Sequence, residues 1–516
     1  MKNTSKTAVK NKRGIPIQTR IIVSAILILF QIIFLFTLLY NIYDYAVIYT
    51  LQEIAGIILV IFLVNRRGYR IYNTAWIILI LIFPIFGICA YLFWGGARIT
   101  PFFRKKMNEC ESHYRFALPD DRAVHEELHV IEPQKATEAD YLTRESNYPL
   151  YKDSTAEYLS PGEVFLPRFL EELNAATEYI FLEFFIIADG VMWDSIYDIL
   201  VKKAERGIDV RIIFDDFGSI KRQRKDFIRR LKRHGIKVAI FNKIGPSFNL
   251  FMNNRDHRKI AVIDGKTAVT GGLNLADEYI NQIERFGYWM DAATIIKGPA
   301  VTSFLVMFCT MWEFTTGIRT DIAKLIKNEK VEGASGYIQP YSDSPLDLRN
   351  PGKGIYVRII SGAGRYVYIC TPYLIIDDTM REVLKMAAKS GVDIRIITPS
   401  HPDKWYVHPV TQYNYLELLE NGVRIFEYKP GFIHSKIFVS DDSVATIGTV
   451  NMDYRSFALH FECGAWMYKN DAVKDARDHI LEILENCEEI TAKGWHKKPA
   501  AYRFKCWLLN LFAPFM

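Results

Sequence analysis

The chain has 516 residues, half of them hydrophobic, and a formal net charge of +6. At this length one compact core is not expected, so the sequence predicts more than one folded lobe, with room for an enzyme. The small positive surplus does not supply the basic stripe that nucleic-acid binding needs, and we expect no nucleic acid as a partner. The seven cysteines are scattered without Cys-x-x-Cys spacing, which indicates neither a disulfide framework nor a cysteine zinc site.

Residues 1–98 contain three long apolar runs and are predicted to form an N-terminal membrane region. The runs cover residues 21–43, 46–64 and 74–94. The second run is the most polar, because it includes Gln52 and Glu53. Lysines and arginines before the first run, between the second and third runs, and after the third favour a multi-pass protein with a cytoplasmic body. The third run either crosses the membrane despite the basic residues after it or is broken by Pro84 and Gly87 into a re-entrant or interfacial element, and the re-entrant interpretation is preferred.

The rest of the chain is predicted to contain a duplication. Residues 99–151 are charged and irregular, as expected of a juxtamembrane connector. Beyond them, RGIDVRIIFDD in the first half corresponds to SGVDIRIITPS in the second, with similar apolar segments before and after. Strands that alternate with amphipathic helices predict α/β layers, so we expect two tandem domains, 152–328 and 329–490, each with a sheet covered by helices. Residues 491–516 interleave basic and aromatic side chains, which is typical of an interfacial segment on an anionic bilayer, and a C-terminal helix packed on the protein core is the alternative.

One motif occurs twice, as HRKIAVID at 257–264 and as HSKIFVSD at 434–441. Side chains at positions i and i+2 of a strand share a face, so each His and the following Lys are expected to project together. Around a phosphate diester, the Lys holds a non-bridging oxygen while the His attacks phosphorus or protonates the leaving oxygen. Each Asp follows its strand in a turn sequence, where a structural role is expected. The candidate catalytic residues are His257, Lys259, Asp264, His434, Lys436 and Asp441.

Further candidates recur at equal distances after each histidine. A glycine follows at fourteen residues and an asparagine at seventeen, which brings backbone N–H groups and an amide to the same phosphate. These substrate-binding candidates are Gly271, Gly448, Asn274 and Asn451. A carboxylate comes later in each half, Asp291 or Glu462, and we expect it to orient a catalytic histidine by accepting from its second ring nitrogen. A structural ion pair is the alternative role for these two carboxylates.

These residues resemble the phospholipase D superfamily, in which two such motifs join at one site, and more narrowly the bacterial cardiolipin synthases. The resemblance covers nearly the whole chain, including DHRKIAVIDGKTAVTGGLNLADEY, GFIHSKIFVSDDSVATIGTVNMDYRSFALHFE and the aromatic tail. It implies a fold of two tandem phospholipase D-like domains, with mixed sheets and a pseudo-two-fold relation. The chain departs from many relatives in WMDAATIIKGPAV, where it is less polar around Trp289 and Asp291. Substrate contacts of the residues near Trp289 therefore stay open.

The resemblance implies transphosphatidylation at the bacterial cell membrane, without a metal or another cofactor. One histidine attacks a phosphatidylglycerol, glycerol leaves, and the hydroxyl of a second phosphatidylglycerol attacks the phosphatidyl-histidine to give cardiolipin. By analogy His257 is the nucleophile and His434 the general acid and base, while the near symmetry of the halves leaves the reverse open. The implied partners are phosphatidylglycerol and anionic membrane lipids. The sequence does not give the oligomeric state.

Several alternatives share part of this sequence pattern. Water as acceptor would make the chain a phospholipase D-type hydrolase, and another alcohol would make it a different phosphatidyltransferase. HEELH at 125–129 matches a zinc metalloprotease motif, although Pro133 follows closely and no convincing third ligand does. A nuclease of the same superfamily is disfavoured by the apolar runs and the mild charge, and a non-catalytic scaffold by the completeness of both motifs.

Overall fold

The computed structural model describes residues 46–66, 70–92, 101–243, 254–347 and 349–515, with isolated positions between 26 and 37. The chain divides into two compact units. The first comprises Met1–Arg98 with Asn242–Asn253, and the second comprises Ile99–Phe241 with Asn254–Met516.

The described part of the first unit is helical, with α1 (Ala46–Asn65), α2 (Arg70–Ile82) and α3 (Pro84–Ala90). The predicted run 21–43 lies almost entirely outside the described residues. The run 74–94 is divided at Phe83, because Pro84 lacks the N–H that would continue α2 and instead begins α3. Across the described ranges, no helix is both long and apolar enough to cross a membrane, so the predicted spans gain no support from them.

The second unit begins with three helices, α4 (Pro101–Tyr114), α5 (Arg122–Ile131) and α6 (Pro133–Ser146). The prediction of an irregular connector at 99–151 is therefore wrong for most of this segment. These helices form because they have an apolar face to bury: α6 buries Ala136, Ala139 and Leu142. The connector is also tied to the second half, where the Trp466 indole N–H donates to Glu138 Oε2 (3.1 Å).

The remaining helices are α7 (Gly162–Ala175), α8 (Val191–Glu205), α9 (Asp216–Ser219), α10 (Phe227–Arg233), α11 (Val301–Thr316), α12 (Pro351–Ser361), α13 (Asp378–Lys389), α14 (Val407–Tyr413), α15 (Tyr415–Glu420), α16 (Tyr454–Ala458), α17 (Asp471–Glu485), α18 (Ala492–His496) and α19 (Ala500–Asn510). The strands are β1 (Thr155–Leu159), β2 (Tyr179–Phe184), β3 (Asp209–Asp215), β4 (Lys237–Phe241), β5 (Arg255–Asp256), β6 (Lys259–Ile263), β7 (Thr267–Gly271), β8 (Tyr288–Met290), β9 (Ala293–Lys297), β10 (Tyr337–Asp343), β11 (Tyr366–Cys370), β12 (Leu374–Ile375), β13 (Asp393–Pro399), β14 (Arg424–Tyr428), β15 (Gly431–Ile433), β16 (Ile437–Ser440), β17 (Val444–Gly448), β18 (Met452–Asp453), β19 (His460–Tyr468) and β20 (Cys487–Ile490).

The two large sheets repeat one strand order. The first sheet runs β1-β9-β7-β6-β2-β3-β4, and the second runs β10-β19-β17-β16-β11-β13-β14 and then adds β20. In each sheet three strands are parallel, β2-β3-β4 or β11-β13-β14, and the strands on the other side are antiparallel. The predicted duplication of a mixed α/β fold is confirmed. Because α11 packs against strands of both sheets, the halves share one core within the second unit.

Candidate active site

Two short strands carry each half of the chain into the other half, directly before each motif histidine. β5 pairs in parallel with β19, and β15 pairs in parallel with β8. The backbone N–H of His257 donates to Phe461 O (2.9 Å), and that of His434 donates to Met290 O (2.7 Å). The position of each histidine is thus fixed by the backbone of the opposite half.

The histidines lie between strands rather than within one, which corrects the predicted strand placement. β6 begins at Lys259 and β16 at Ile437, because the chain there leaves its pairing with the opposite half and joins its own sheet. Each Lys still lies beside its His. Lys259 Nζ donates to His257 O (2.6 Å), Lys436 Nζ donates to His434 O, and Lys436 Nζ is 3.0 Å from His434 Nδ1.

Both motif histidines line one cavity of about 510 Å³. Its walls combine aromatic rings with cationic side chains, a mixture that suits a ligand with both apolar and anionic parts. The aromatic residues include Phe185, Phe217, Tyr279, Phe286, Trp289, Tyr373, Tyr406 and Phe432. The cationic ones are Arg222, Arg255, Arg285, Lys404 and Arg455.

His257 contacts two polar residues of the second half. Its Nδ1 lies 2.9 Å from Glu462 Oε2, and His460 Nδ1 lies 3.3 Å from the other oxygen of the same carboxylate. The two imidazole rings are 5.2 Å apart, centroid to centroid. Thr449 Oγ1 also donates to Glu462, at 2.5 Å. One buried carboxylate therefore serves two histidines.

His434 contacts Asp291 and Trp289 of the first half, which correspond in position to Glu462 and His460 of the second half. Its Nδ1 lies 2.6 Å from Asp291 Oδ2, and the Trp289 ring packs 5.2 Å from the imidazole. The other oxygen of Asp291 accepts from the backbone N–H of Ala292 (2.8 Å). Each histidine is hydrogen-bonded to the carboxylate of the opposite half, so the carboxylates are paired crosswise.

Burial dominates the protonation of both histidines. It lowers the pKa of His257 well below its ordinary value, against the attraction of Glu462. Burial together with the nearby Lys436 charge lowers the pKa of His434 to about 4, against the attraction of Asp291. Both imidazoles are therefore neutral near pH 7. Burial would raise the pKa of Asp291 and Glu462, but the paired histidines outweigh it and lower both, so the carboxylates stay ionised.

The two lysines titrate near neutral pH. Burial lowers the pKa of Lys259 to about 8, although Glu462 and Asp291 attract its charge. Burial also lowers the pKa of Lys436 to about 7, with Lys259 adding repulsion. An anion that binds between these ammonium groups would favour their charged forms.

The two asparagines line the cavity, and their predicted contact with a substrate phosphate stays a prediction. Asn274 Oδ1 accepts from the backbone N–H of Ile186 (2.9 Å), and its Nδ2 donates to the Tyr279 hydroxyl (2.7 Å). Asn451 Nδ2 donates to Ser456 Oγ (3.1 Å). Asn451 Oδ1 is buried with no hydrogen-bond partner among the described residues, so it is a polar group that a substrate can satisfy.

The two glycines have a different role from the predicted phosphate contact. A Cβ added to Gly271 would lie 2.4 Å from Ala292 O, and one added to Gly448 would lie 2.4 Å from Cys463 O. The backbone N–H of Gly448 is directed to Lys436 O (3.4 Å). Glycine is required because the neighbouring strand passes too close for a side chain.

The two motif aspartates lie apart from the cavity-lining residues and bind backbone N–H groups. This agrees with the structural role expected for them and removes them from the catalytic candidates. Asp264 accepts three backbone N–H groups at the start of β2, at 2.6 to 2.8 Å, and Asp441 accepts three at the start of β11, at 2.7 to 2.9 Å. Burial would raise the pKa of Asp264, but these N–H groups outweigh it and lower the pKa. Through these hydrogen bonds, each aspartate connects the turn after its motif to the start of a neighbouring strand.

Sequence analysis missed His460 and the role of Trp289. Each lies two residues before the carboxylate of its half, and each packs on the histidine of the other half. The signal was the period of two along a strand, which puts both side chains on the face of the carboxylate. The indole N–H of Trp289 is buried without a partner in the described part of the chain.

The metalloprotease motif is located elsewhere, on α5. His125 and His129 both contact Asp140 of α6, at 2.9 and 3.0 Å, and His125 also contacts Asp121. Glu126, which would be the general base of such a site, is exposed. This group occupies the connector, and no residue of it is among those that line the cavity.

Comparison with known proteins matches both repeated halves of the chain to one family. The family model described as cardiolipin synthase, PLD-like domain, matches residues 169–312 and 356–484. An uncharacterized protein of Streptococcus mutans is 38% identical over 461 residues, which are 89% of this chain and 99% of that protein. Cardiolipin synthase 2 of Bacillus anthracis is 34% identical over 450 residues, 85% of each chain.

Among solved structures, phosphatidylserine synthase of Haemophilus influenzae Rd KW20 superimposes with a TM-score of 0.56 at 15% identity. The match covers 73% of this chain and 97% of that one. At this identity the likeness concerns the fold alone.

Proposed function

Because the chain belongs to the cardiolipin synthase family, with its PLD-like domains, we propose that it is a phosphatidyltransferase that converts two phosphatidylglycerol molecules into cardiolipin and glycerol. One observation carries the proposal: two neutral histidines, one from each half, line a single cavity, and each is paired with a carboxylate of the other half. Two such imidazoles can divide nucleophilic attack and proton transfer between them.

In the first step, His257 Nε2 attacks the phosphorus of phosphatidylglycerol. The bond from phosphorus to the glycerol oxygen breaks, and a proton from His434 goes to that oxygen. Glu462 supports this step because its negative charge stabilises the positive charge that develops on the His257 imidazole. Lys259 and Lys436 stabilise the negative charge on the non-bridging oxygens.

In the second step, a hydroxyl of another phosphatidylglycerol attacks the phosphatidyl-histidine. His434, now neutral, takes the proton of that hydroxyl, and the bond from phosphorus to His257 breaks. The product is cardiolipin, and both histidines return to their starting states. One phosphodiester replaces another, so the reaction needs no activated donor.

The first step requires His434 to be protonated when the substrate is bound, although burial keeps it neutral in the free protein. A phosphodiester brings a negative charge next to the imidazole. This charge raises the pKa of His434 and so favours its protonated form. Burial and nearby lysine charge disfavour protonation of both histidines, but His257 also lies beside the imidazole of His460, where His434 has the uncharged ring of Trp289. The environments therefore favour His257 as the nucleophile and His434 as the acid and base.

We place this reaction at the surface of the bacterial membrane. On α19, Phe504, Trp507 and Leu508 are exposed, while the opposite face of the helix packs on α14. Trp405 is exposed as well, and Lys505 Nζ lies 5.4 Å from its ring centroid. Aromatic and basic side chains together suit the interface of an anionic bilayer. The next residue, Tyr406, lines the cavity, so this surface would bring lipid headgroups to the site.

The test is to incubate the purified full chain with phosphatidylglycerol alone and measure lipids and free glycerol. The proposal predicts cardiolipin and glycerol in equal amounts. Both His257→Ala and His434→Ala should lower the rate by roughly 10⁴-fold or more, because each removes a group that acts in every turnover. His401→Ala, at an exposed histidine, is the control and should keep the wild-type rate. Phosphatidic acid without cardiolipin would instead identify a hydrolase, and no turnover would refute the proposal.

A further inference from the structure

The two histidines that share Glu462 form a potential set of metal ligands. One ligand atom from each of His257, His460 and Glu462 lies within 4.8 Å of the others. Both Nδ1 atoms are directed to the carboxylate, at 2.9 and 3.3 Å, so the three groups already converge. His257 and His460 also line the cavity, which gives an ion a route from solvent.

The chemistry of this set selects the type of ion. Two imidazoles and one carboxylate suit Zn²⁺ and Co²⁺, whose ligands lie about 2.0 to 2.2 Å from the metal. Mg²⁺ and Ca²⁺ require mostly oxygen ligands, and this set provides one carboxylate. The corresponding group in the other half lacks a second imidazole, because Trp289 occupies the position equivalent to His460.

Nearby positive charge limits how tightly an ion can bind. Lys259 is buried next to His257, and Arg455 lines the same cavity. The site therefore fits a reversible ligand better than a permanent structural ion.

We propose that His257, His460 and Glu462 form a Zn²⁺ site whose occupation inhibits the enzyme. A metal bonded to His257 Nδ1 leaves the proton on Nε2, and that nitrogen then has no lone pair with which to attack phosphorus. The metal also takes up the carboxylate charge that would stabilise the imidazolium. Inhibition rests on the proposed function, whereas metal binding does not.

Binding is tested on the purified full chain without lipid. Co²⁺ is added first, and Zn²⁺ is then used to displace it. The wild type should bind one Co²⁺ with the visible absorption of a tetrahedral site. His460→Asn should weaken Zn²⁺ binding at least about tenfold, because it removes one of three protein ligands. His129→Asn, from the group in which His125 and His129 share Asp140, is the matched control and should bind as the wild type does.

Inhibition is measured as the ratio of each variant's cardiolipin synthesis with Zn²⁺ to its own rate without it. The Zn²⁺ concentration for half inhibition should rise at least about tenfold in His460→Asn and stay constant in His129→Asn. Thermal unfolding confirms that each variant is folded, and His460→Gln replaces His460→Asn if the latter is not. Equal Zn²⁺ affinity in wild type and the His460 variant would overturn the proposal. A His460-dependent Co²⁺ spectrum in a protein that makes no cardiolipin would support the site and refute the proposed function.

Discussion

In the first half of the body, His257 is surrounded by polar groups of the second half, Glu462 and His460; in the second half, His434 has Asp291 and the indole of Trp289. The strand order and the crossed backbone pairing are the same in both halves. The neighbours of the two histidines differ in the carboxylate, which is Glu462 or Asp291, and in the residue two positions before it, which is His460 or Trp289. A duplicated scaffold can assign different chemical roles to identical motifs by changing their neighbours.

The crossed pairing gives the largest expected effect after loss of the histidines themselves. Glu462→Gln and Asp291→Asn should each lower kcat by roughly 10²- to 10⁴-fold, because a neutral amide cannot stabilise an imidazolium. Chemical modification of each histidine, followed by mass spectrometry, measures the pairing directly. Glu462→Gln should slow modification of His257 and leave His434 unchanged. An equal effect on both histidines would contradict the crossed arrangement.

The lysines should set the alkaline limit of activity. Each is charged below its pKa and loses that charge as the pH rises through about 7 for Lys436 and about 8 for Lys259. Phosphate binding should weaken accordingly, and kcat/KM should fall above neutral pH, by up to about tenfold per pH unit for each lysine. Lys436→Arg keeps its charge throughout this range and should lose the lower of the two steps. A flat kcat/KM profile from pH 6 to 9 would be inconsistent with this role.

Trp289 lies beside His434, in the position that His460 occupies beside His257. Its buried indole N–H has no partner in the described chain, so a substrate oxygen can accept from it. Trp289→Phe keeps an aromatic ring and removes the indole N–H donor, and kcat/KM should fall by about 2- to 10-fold. Trp193→Phe, in the core of the first half, is the matched control and should leave kcat/KM unchanged. If both variants behave alike, Trp289 acts through packing alone.

The motif aspartates should affect stability rather than chemistry. Asp264→Asn weakens three backbone hydrogen bonds and should lower the free energy of unfolding by about 1 to 3 kcal/mol. Below the unfolding transition, kcat/KM should stay within about twofold of wild type. Denaturant unfolding measures the free energy of unfolding, and cardiolipin synthesis by the same preparation measures kcat/KM. A large loss of kcat/KM in a stable variant would return Asp264 to the catalytic group.

Much of this arrangement could be predicted from local patterns. The repeated apolar segments gave the duplicated α/β sheets, and equal offsets selected Asn274 and Asn451. The crossing of β5 and β15 into the opposite halves could not be predicted, because it depends on contacts between residues 205 positions apart, His257 and Glu462, and 143 positions apart, His434 and Asp291. The role of His460 could not be predicted for the same reason, because it depends on the long-range contact with His257. The glycines were misassigned because close strand packing and phosphate binding select the same residue.

The most direct test of the account is to quench the wild-type protein during turnover of a short-chain phosphatidylglycerol and locate the covalent adduct by mass spectrometry. We predict a phosphatidyl group on His257 and unmodified His434. His257→Ala should show no adduct at either histidine. An adduct on His434 would reverse the roles assigned to the two halves, and the absence of any adduct during active synthesis would contradict a covalent mechanism.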